Sequence, residues 1–345
     1  MRVLVAMSGG VDSSVAAALL VEAGHEVVGA TMKLWGGPSD TGCCSVDDVE
    51  DARRVAEQIG IVHRVFNFSE DFETKVVDHY VAAHAAGATP NPCIECNRHL
   101  KFRRFLDRAI KLRFDAVATG HHARVVRESG RWRLRRGADR AKDQSYVLSV
   151  LGQEQLARIL LPVGDLTKAE VRARAAELGL RTAAKADSQD VCFISTAGGR
   201  EAFLGDRMPL HAGRVVDAAS GADVGTVDAV ELVTVGQRRG LGGGATGGQS
   251  RRYAVSVDTE ASTVLVGSRA DLLTERTALR DLTWVDDPVT VGGEVLAQVS
   301  AHGPALPAIF EGERVTWGAP QRRVAPGQTV ALYEGDAVVG AGLAA

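Results

Sequence analysis

The feature that most constrains the fold is a glycine-rich turn between a short apolar run and a helical pattern. Residues 3–7 are apolar, residues 8–13 read Ser-Gly-Gly-Val-Asp-Ser, and an apolar helical stretch follows as far as Gly24. This succession is typical of a buried parallel strand that leads directly into a helix. The chain is therefore predicted to begin with an α/β domain.

The same alternation continues through the first half of the chain. Further strands are predicted at residues 26–32, 63–67 and 115–119, and further helices at residues 45–59, 69–86, 94–112 and 167–179. Ser45 and Thr167 have the spacing of helix N-caps, with an acidic residue three positions later. This pattern predicts a doubly wound parallel sheet, which binds ligands at the carboxyl ends of its strands.

The second half has a different pattern, with short β-like runs between Gly, Asp and Pro. They lie at residues 213–217, 225–226, 229–234, 253–258, 264–267, 282–285, 293–300, 314–317, 329–333 and 338–342. Residues 240–248 are rich in glycine and are predicted to form a mobile loop. We expect an α/β domain at residues 1–196, a small central β-rich domain at 197–270 and a C-terminal β-barrel-like domain at 271–345.

Composition limits the class of function. The 345 residues carry a net charge of −3, so any nucleic acid must bind at local basic patches. No apolar run approaches the roughly 18 residues of a membrane span, and no signal-peptide core opens the sequence. The five cysteines are odd in number and widely spaced. This pattern favours a cytoplasmic protein with working thiols over a disulfide framework.

The turn at residues 8–13 has the composition of a phosphate-binding loop. Gly9 and Gly10 let the backbone approach a ligand, and the N–H groups of a helix N-terminus attract anions. Ser8 and Ser13 add hydroxyl donors, whereas Asp12 would reach phosphate through Mg²⁺. A plain glycine turn with a polar cap is the alternative, and the Walker pattern is absent.

The string SGGxDS resembles the PP-loop of ATP pyrophosphatases, which cleave ATP between its α and β phosphates and transfer AMP to a substrate oxygen. Met32 ends one predicted parallel strand, and Gly120 follows another. Both therefore lie at the edge of the sheet where a nucleotide would bind. Met32 fits a contact with adenine and a core position equally well.

Three cysteines lie in two motifs. Cys93 and Cys96 form a Cys-x-x-Cys at the start of a predicted basic helix, and Cys192 lies between Val191 and Phe193. Helix N-termini and nearby cations favour the thiolate, whereas a single cysteine between apolar residues is more often a core residue. The three thiolates lack the fourth ligand of a structural zinc site but could hold an iron–sulfur cluster with one open iron.

A PP-loop together with catalytic thiols favours the replacement of oxygen by sulfur. ATP would adenylate a carbonyl oxygen and make it a leaving group, and a thiolate or persulfide would attack the activated carbon. A second cysteine would resolve the persulfide and leave a disulfide that needs reduction. Cys43 and Cys44 precede a capped helix, and we interpret them as structural.

Seven strings in order resemble the tRNA-specific 2-thiouridylases of the MnmA/TrmU type over essentially the full chain. They are residues 6–14 (AMSGGVDSS), 31–35 (TMKLW), 89–102 (TPNPCIECNRHLKF), 118–124 (ATGHHAR), 142–148 (KDQSYVL), 187–195 (DSQDVCFIS) and 234–242 (TVGQRRGLG). The resemblance implies a PP-loop ATP pyrophosphatase catalytic domain. It also implies adenylation of the C2 oxygen of wobble uridine 34 in Lys, Glu and Gln tRNAs, followed by its replacement with sulfur.

The resemblance also implies roles for individual residues. Those that bind ATP would be Ala6, Met7, Ser8, Gly9, Gly10, Val11, Asp12, Ser13, Met32 and Gly120. Cys96 corresponds to the nucleophile and Cys192 to the residue that carries the persulfide, which a relay beginning at a cysteine desulfurase would supply. The residues near tRNA would be Asn91, Pro92, Cys93, Lys142, Asp143 and Gln144.

The chain departs from the family pattern at two places. Cys93 stands where many members have an aspartate that acts as general acid/base, which leaves open a Cys93–Cys96 disulfide or a cluster on three cysteines. The C-terminal segment that is often rich in Arg and Tyr corresponds here to residues 298–303, which carry little positive charge.

Two basic clusters favour RNA as the substrate. Residues 98–113 contain seven basic residues against Asp107, and residues 131–142 contain six against Asp139. A PP-loop synthetase acting on a small metabolite would not need the three thiols, and a non-catalytic RNA-binding protein would not need the phosphate loop. Both remain alternatives from the residues alone.

Overall fold

The computed structural model describes residues 1–35, 45–187, 191–194, 198–242 and 251–345. Cys43, Cys44 and residues 243–248 of the predicted loop lie outside these ranges. No helix among the described residues is long and apolar enough to cross a membrane.

The described part of residues 1–200 contains seven strands. These are β1 (Arg2–Ala6), β2 (Glu26–Lys33), β3 (Val62–Asn67), β4 (Ala116–Ala118), β5 (Ala123–Glu128), β6 (Arg131–Arg136) and β7 (Ile159–Leu160). Five of them form a parallel sheet in the order β3-β2-β1-β4-β7. The order reverses direction at β1, which places the turn after β1 at a topological switch point.

Helices cover both faces of this sheet. They are α1 (Val11–Glu22), α2 (Val46–Gln58), α3 (contiguous segments Ser69–Phe72, Glu73–Val77 and Asp78–Ala85), α4 (contiguous segments Pro92–Glu95, Cys96–Arg104 and Phe105–Lys111), α5 (Gln153–Leu156), α6 (Lys168–Glu177) and α7 (Gly199–Gly205). Within β1, Leu4 packs into one apolar cluster with α3 and α4, whereas Val3 and Val5 pack into a second with α1, α2 and α6. The predicted doubly wound sheet is confirmed.

The helix starts follow local side-chain chemistry. Ser45 and Thr167 accept hydrogen bonds from the backbone N–H groups of Asp48 and Glu170, which confirms both predicted N-caps. Helix α4 begins two residues earlier than predicted, because Asn91 caps it by accepting from the N–H of Cys93 and Pro92 fits the first helical position.

The remaining strands build two β-rich units, as predicted for the second half. They are β8 (Gly213–Asp217), β9 (Asp223–Val227), β10 (Tyr253–Asp258), β11 (Thr263–Gly267), β12 (Leu273–Trp284), β13 (Glu294–Gln298), β14 (Leu306–Phe310), β15 (Arg314–Arg322), β16 (Thr329–Glu334) and β17 (Ala337–Ala344). The central unit has the strand order β10-β11-β8-β9.

Two assignments in this half differ from the sequence prediction. Residues 229–234 are not a strand, since Val230–Leu232 form one turn of 3₁₀ helix. Strand β14 was not predicted, because Pro307 within a short run argues against a central strand.

The C-terminal sheet incorporates a hairpin from the first domain. Its eight strands run β12-β15-β14-β13-β16-β17-β6-β5, and an additional β12–β17 pairing closes it. The sequence reading missed β5 and β6, because the arginines of β6 were interpreted only as a basic cluster. Residues 123–136 therefore tie the α/β domain to the C-terminal barrel through backbone pairing of Leu134 with Val338.

Tyr146 provides a second tie between these units. Its ring is fully buried, and its hydroxyl lies 2.9 Å from the Thr329 carbonyl and 3.2 Å from the Val299 carbonyl. Burial raises the pKa of Tyr146 above its ordinary value, so the hydroxyl stays protonated and donates.

We expect Tyr146→Phe to lower the free energy of unfolding by about 1–2 kcal/mol, because the buried Thr329 carbonyl loses its donor. Chemical denaturation of the full chain measures this. Tyr253→Phe is the matched control, since Tyr253 is only half-buried, in β10 of the central unit; equal losses in both variants would contradict the assigned tie.

Candidate functional site

The turn between β1 and α1 requires glycine at one position. Gly9 has φ of 71°, and a Cβ there would lie 2.3 Å from the carbonyl oxygen of Asp48. Gly10 follows as the N-cap of α1. The loop therefore runs directly against the first turn of α2, and no larger residue fits at position 9.

Gly120, after β4, packs against the other side of the loop. A Cβ at this position would lie 2.5 Å from the backbone nitrogen of Ser13 and 2.6 Å from the carbonyl carbon of Asp12. The structure thus brings Gly120 into contact with the start of α1, as expected from the carboxyl ends of adjacent parallel strands.

The loop serines bond within the loop itself. The Ser8 N–H donates to the Ser13 hydroxyl at 3.3 Å, and the Ser13 and Ser14 hydroxyls donate to the Gly10 carbonyl at 3.1 and 2.8 Å. These bonds fix the shape of the turn. Met32, at the end of β2, is only 8% exposed and belongs to a core cluster.

Asp12 lies in the first turn of α1 between two basic side chains. Lys168 Nζ lies 2.7 Å from each of its carboxylate oxygens, and His122 Nε2 lies 3.2 Å from one of them. Burial alone would raise the pKa of Asp12, but the hydrogen bonds from His122 and Lys168 outweigh burial and lower it. Asp12 is therefore a carboxylate near neutral pH, as a ligand for Mg²⁺ must be.

Lys168 also links Asp12 to Asp187. Its Nζ lies 2.9 Å from Asp187, which Lys142 and Arg172 approach as well, each at 2.8 Å. Burial would raise the pKa of Asp187, but the bonds from Lys142 and Lys168 lower it well below its usual range.

Residues 181–185, just before Asp187, contact the loop at residues 8–13 and the start of α2. Lys185 Nζ donates to the Gly9 carbonyl at 3.0 Å and to the carboxylates of Asp48 and Asp51 at 2.6 and 2.8 Å. Arg181 adds a 3.0 Å ion pair with Asp51. The chain leading towards Cys192 is thus attached to the phosphate loop by charge.

The cysteines of the two motifs share one apolar environment. Cys96, in α4, is 7% exposed within the first core cluster, and Cys192 packs against the same cluster beside Phe193. Cys93 is half-buried one helical turn earlier. Among the described residues, no three His, Cys, Asp or Glu side chains are grouped so that they could hold a metal ion.

In the segment 142–144, which was predicted to contact tRNA, Asp143 and Gln144 form hydrogen bonds within the protein. Asp143 accepts from Arg136 at 2.8 Å and from the Gly137 N–H at 2.9 Å, and the Gln144 side chain accepts from the His122 N–H at 2.9 Å. Lys142 is exposed beside Asp187. Asp143 and Gln144 therefore position His122 and the β6 hairpin.

The two basic clusters differ in their surroundings. Each basic residue of the 131–142 cluster has an acidic partner: Arg131 and Arg133 pair with Asp286, Arg135 with Glu128, Arg136 with Asp143, Arg140 with Asp336 and Lys142 with Asp187. These ion pairs attach the cluster to neighbouring elements of the fold, and its contact with RNA stays a prediction.

Helix α4 presents the other cluster at the surface. Arg103, Arg108 and Lys111 are exposed, and none has an acidic partner within the part of the chain that the structure describes. In contrast, Arg104 pairs with Asp71 at 2.9 Å. In the segment 298–303, Gln298 is 2% exposed and accepts from Arg136 at 2.8 Å, whereas Ser300 and His302 are exposed.

Sequence reasoning missed Lys168, His122, Lys185 and Asp187 as parts of the site. Lys168 directly follows the Thr167 cap, and His122 lies two residues after Gly120, so both had a positional signal. Nothing in the sequence pairs Lys168 with Asp12, which is 156 residues away in the chain.

We expect Gly120→Ala to weaken ATP binding by about tenfold or more, because the added methyl group pushes the start of α1 away. Equilibrium binding of an uncleavable ATP analogue measures this. Gly205→Ala is the control, since its methyl group would meet only Leu210 at 3.5 Å; wild-type affinity in Gly120→Ala would contradict the close packing.

Three family models match successive parts of the chain. They are described as a tRNA methyl transferase HUP domain over residues 1–196, a tRNA methyl transferase PRC-barrel domain over residues 201–268 and an aminomethyltransferase beta-barrel domain over residues 275–344.

Curated relatives match almost the whole chain. The tRNA-specific 2-thiouridylase MnmA of Chloroflexus aurantiacus is 45% identical, covering 99% of this chain and 97% of the relative. Its counterparts in Mycobacteroides abscessus and Mycobacterium avium are 48% and 47% identical, each covering 99% of this chain and 98% of the relative. With the phosphate loop and the two cysteine motifs in place, these matches show that the chain belongs to the MnmA family of tRNA-specific 2-thiouridylases.

Proposed function

We propose that this protein is an ATP-dependent tRNA 2-thiouridylase of the cytoplasm. It adenylates the C2 oxygen of uridine 34 in Lys, Glu and Gln tRNAs and replaces that oxygen with sulfur, forming AMP and pyrophosphate. The observation that carries the proposal is the phosphate loop at residues 8–13, held between Gly120 and α2 in a fold whose core also contains Cys96 and Cys192.

The nucleotide binds at the carboxyl edge of the parallel sheet. The N–H groups at the start of α1 receive the phosphates, and Gly9 and Gly120 allow them a close approach. Asp12, already ionised, would hold Mg²⁺, and that ion would neutralise charge on the phosphates. Residues 6–13, Met32 and Gly120 form the ATP site.

The uridine is activated before sulfur arrives. Its C2 oxygen attacks the α phosphorus, the bond to the β phosphate breaks, and pyrophosphate leaves with the electron pair. The proton on N3 of the base is lost in this step. The C2 carbon then carries AMP as its leaving group.

The two cysteines deliver the sulfur. The outer sulfur of a Cys192 persulfide attacks C2, and the Cys96 thiolate attacks the inner sulfur. The persulfide S–S bond breaks, its electron pair passes to the sulfur on C2, and AMP departs. A Cys96–Cys192 disulfide remains, which a cellular dithiol reduces with two electrons; a cysteine desulfurase relay renews the persulfide.

The exposed basic face of α4 supports tRNA as the substrate. Arg103, Arg108 and Lys111 lie on the same helix as Cys96, so phosphates bound there would bring a tRNA loop near the thiol. Asn91, Pro92 and Cys93, at the start of this helix, then lie next to the target base, and Lys142 adds a contact.

We expect Cys96→Ser and Cys192→Ser each to abolish thiolation, because a hydroxyl neither carries nor resolves a persulfide. ATP-dependent incorporation of labelled sulfur into defined tRNAs measures this. The ATP affinity of both variants should stay within about twofold of wild type. Thiolation retained in either variant would remove the role assigned to that cysteine.

Cys93→Ser separates two routes for the sulfur. A modest loss of thiolation is expected for the persulfide route, since Cys93 then carries no sulfur. A complete loss, together with visible charge-transfer absorption in anaerobically prepared wild-type protein, would instead favour a cluster on Cys93, Cys96 and Cys192. The same labelled-sulfur assay, with and without cluster reconstitution, decides between them.

A further inference from the structure

Lys168 forms ion pairs with two different carboxylates, those of Asp12 and Asp187. Its ammonium group contacts both oxygens of Asp12 at 2.7 Å and one oxygen of Asp187 at 2.9 Å, and its side chain is only 12% exposed. All three ammonium donors therefore have a carboxylate partner. An ammonium group in this position, beside the loop at residues 8–13, is able to bind the oxygens of a phosphate.

Both acids can release Lys168 at low cost. Asp187 keeps Lys142 and Arg172, each at 2.8 Å, if Lys168 turns away. Asp12 keeps His122 at 3.2 Å, and it gains Mg²⁺ when the nucleotide binds under the proposed function. Neither carboxylate is then left without a positive partner, so the exchange leaves no unpaired charge in the site.

The sheet order tells which end of the nucleotide Lys168 faces. Along the carboxyl edge the strands run β2, β1, β4, β7, with Met32 at the end of β2 and the loop after β1. Lys168 enters from the opposite side, at the start of the helix that follows β7. With adenine on the Met32 side, the loop lies in the middle and Lys168 lies at the far end of the phosphate chain.

From this geometry we propose that Lys168 binds the β and γ phosphates of ATP, the pyrophosphate that leaves in the adenylation step. Asp12 would hold Mg²⁺ when the nucleotide binds, and the Lys168 ammonium would then be free to donate to the phosphate oxygens. It then stabilises the negative charge that develops on pyrophosphate as its bond to the α phosphorus breaks. The inference rests on the proposed function and adds a group to its ATP site.

Binding measurements on the full chain test this assignment. Lys168→Met should weaken binding of Mg²⁺ with α,β-methylene-ATP, and of Mg²⁺ with inorganic pyrophosphate, by about tenfold or more. Binding of AMP should stay within about twofold of wild type, because AMP lacks those phosphates. Titration calorimetry gives all three affinities, and Lys168→Arg should recover part of the pyrophosphate affinity because it restores the charge.

Arg174→Met is the matched control. It removes a basic side chain from the same helix, whose ion pairs are with Glu22 and Glu177, so its affinity for all three ligands should stay near wild type. Thermal unfolding of each variant checks folding, and Lys168→Gln replaces Lys168→Met if that variant does not fold.

Three outcomes overturn the inference. Wild-type pyrophosphate affinity in Lys168→Met shows that the ammonium does not reach these phosphates. An equal loss of AMP affinity shows that Lys168 only supports the loop. Wild-type protein that binds none of the three ligands contradicts the proposed function itself, and with it this inference.

Discussion

The site depends on how closely three backbone segments approach one another. Gly9 lies against the first turn of α2, and Gly120 lies against the first turn of α1, each at a distance that excludes a Cβ. Because these contacts are between backbones, side-chain repacking cannot relieve a substitution there. The loop is therefore preorganised by the sheet, and its N–H groups need no rearrangement to receive an anion.

Ion pairs and hydrogen bonds from basic side chains also hold the loop in place. The loop carries Asp12 at the positive end of α1, and Lys168 and His122 keep it ionised while Lys185 holds the Gly9 carbonyl. A depressed pKa means that the Asp12 carboxylate stabilises the fold above its unfolded pKa, and that this stabilisation is lost as pH falls through the folded pKa. Acid would therefore weaken the site before the apolar core is affected.

Sequence patterns predicted the parallel sheet and the tight turn at residues 8–13 because both are local. The apolar run, the glycines and the helix caps each act within a few residues, so the order of β1, α1 and β2 could be inferred directly. The β6 hairpin was missed since its partner, β17, lies about 200 residues later in the chain. For the same reason the sequence showed its arginines only as a basic cluster and did not reveal that each is paired with an acid.

The positions of Lys168 and Asp187 show why long-range charge pairs matter for the chemistry. An isolated Asp12 in a partly buried loop would be protonated more readily, and Mg²⁺ would then have to displace a proton. Lys168 keeps this carboxylate charged through two 2.7 Å contacts, so no proton would have to leave Asp12 for it to hold Mg²⁺. Under the inference above, the same ammonium group would then turn to the phosphates. One long-range ion pair would in that way serve both the shape of the loop and the departure of pyrophosphate.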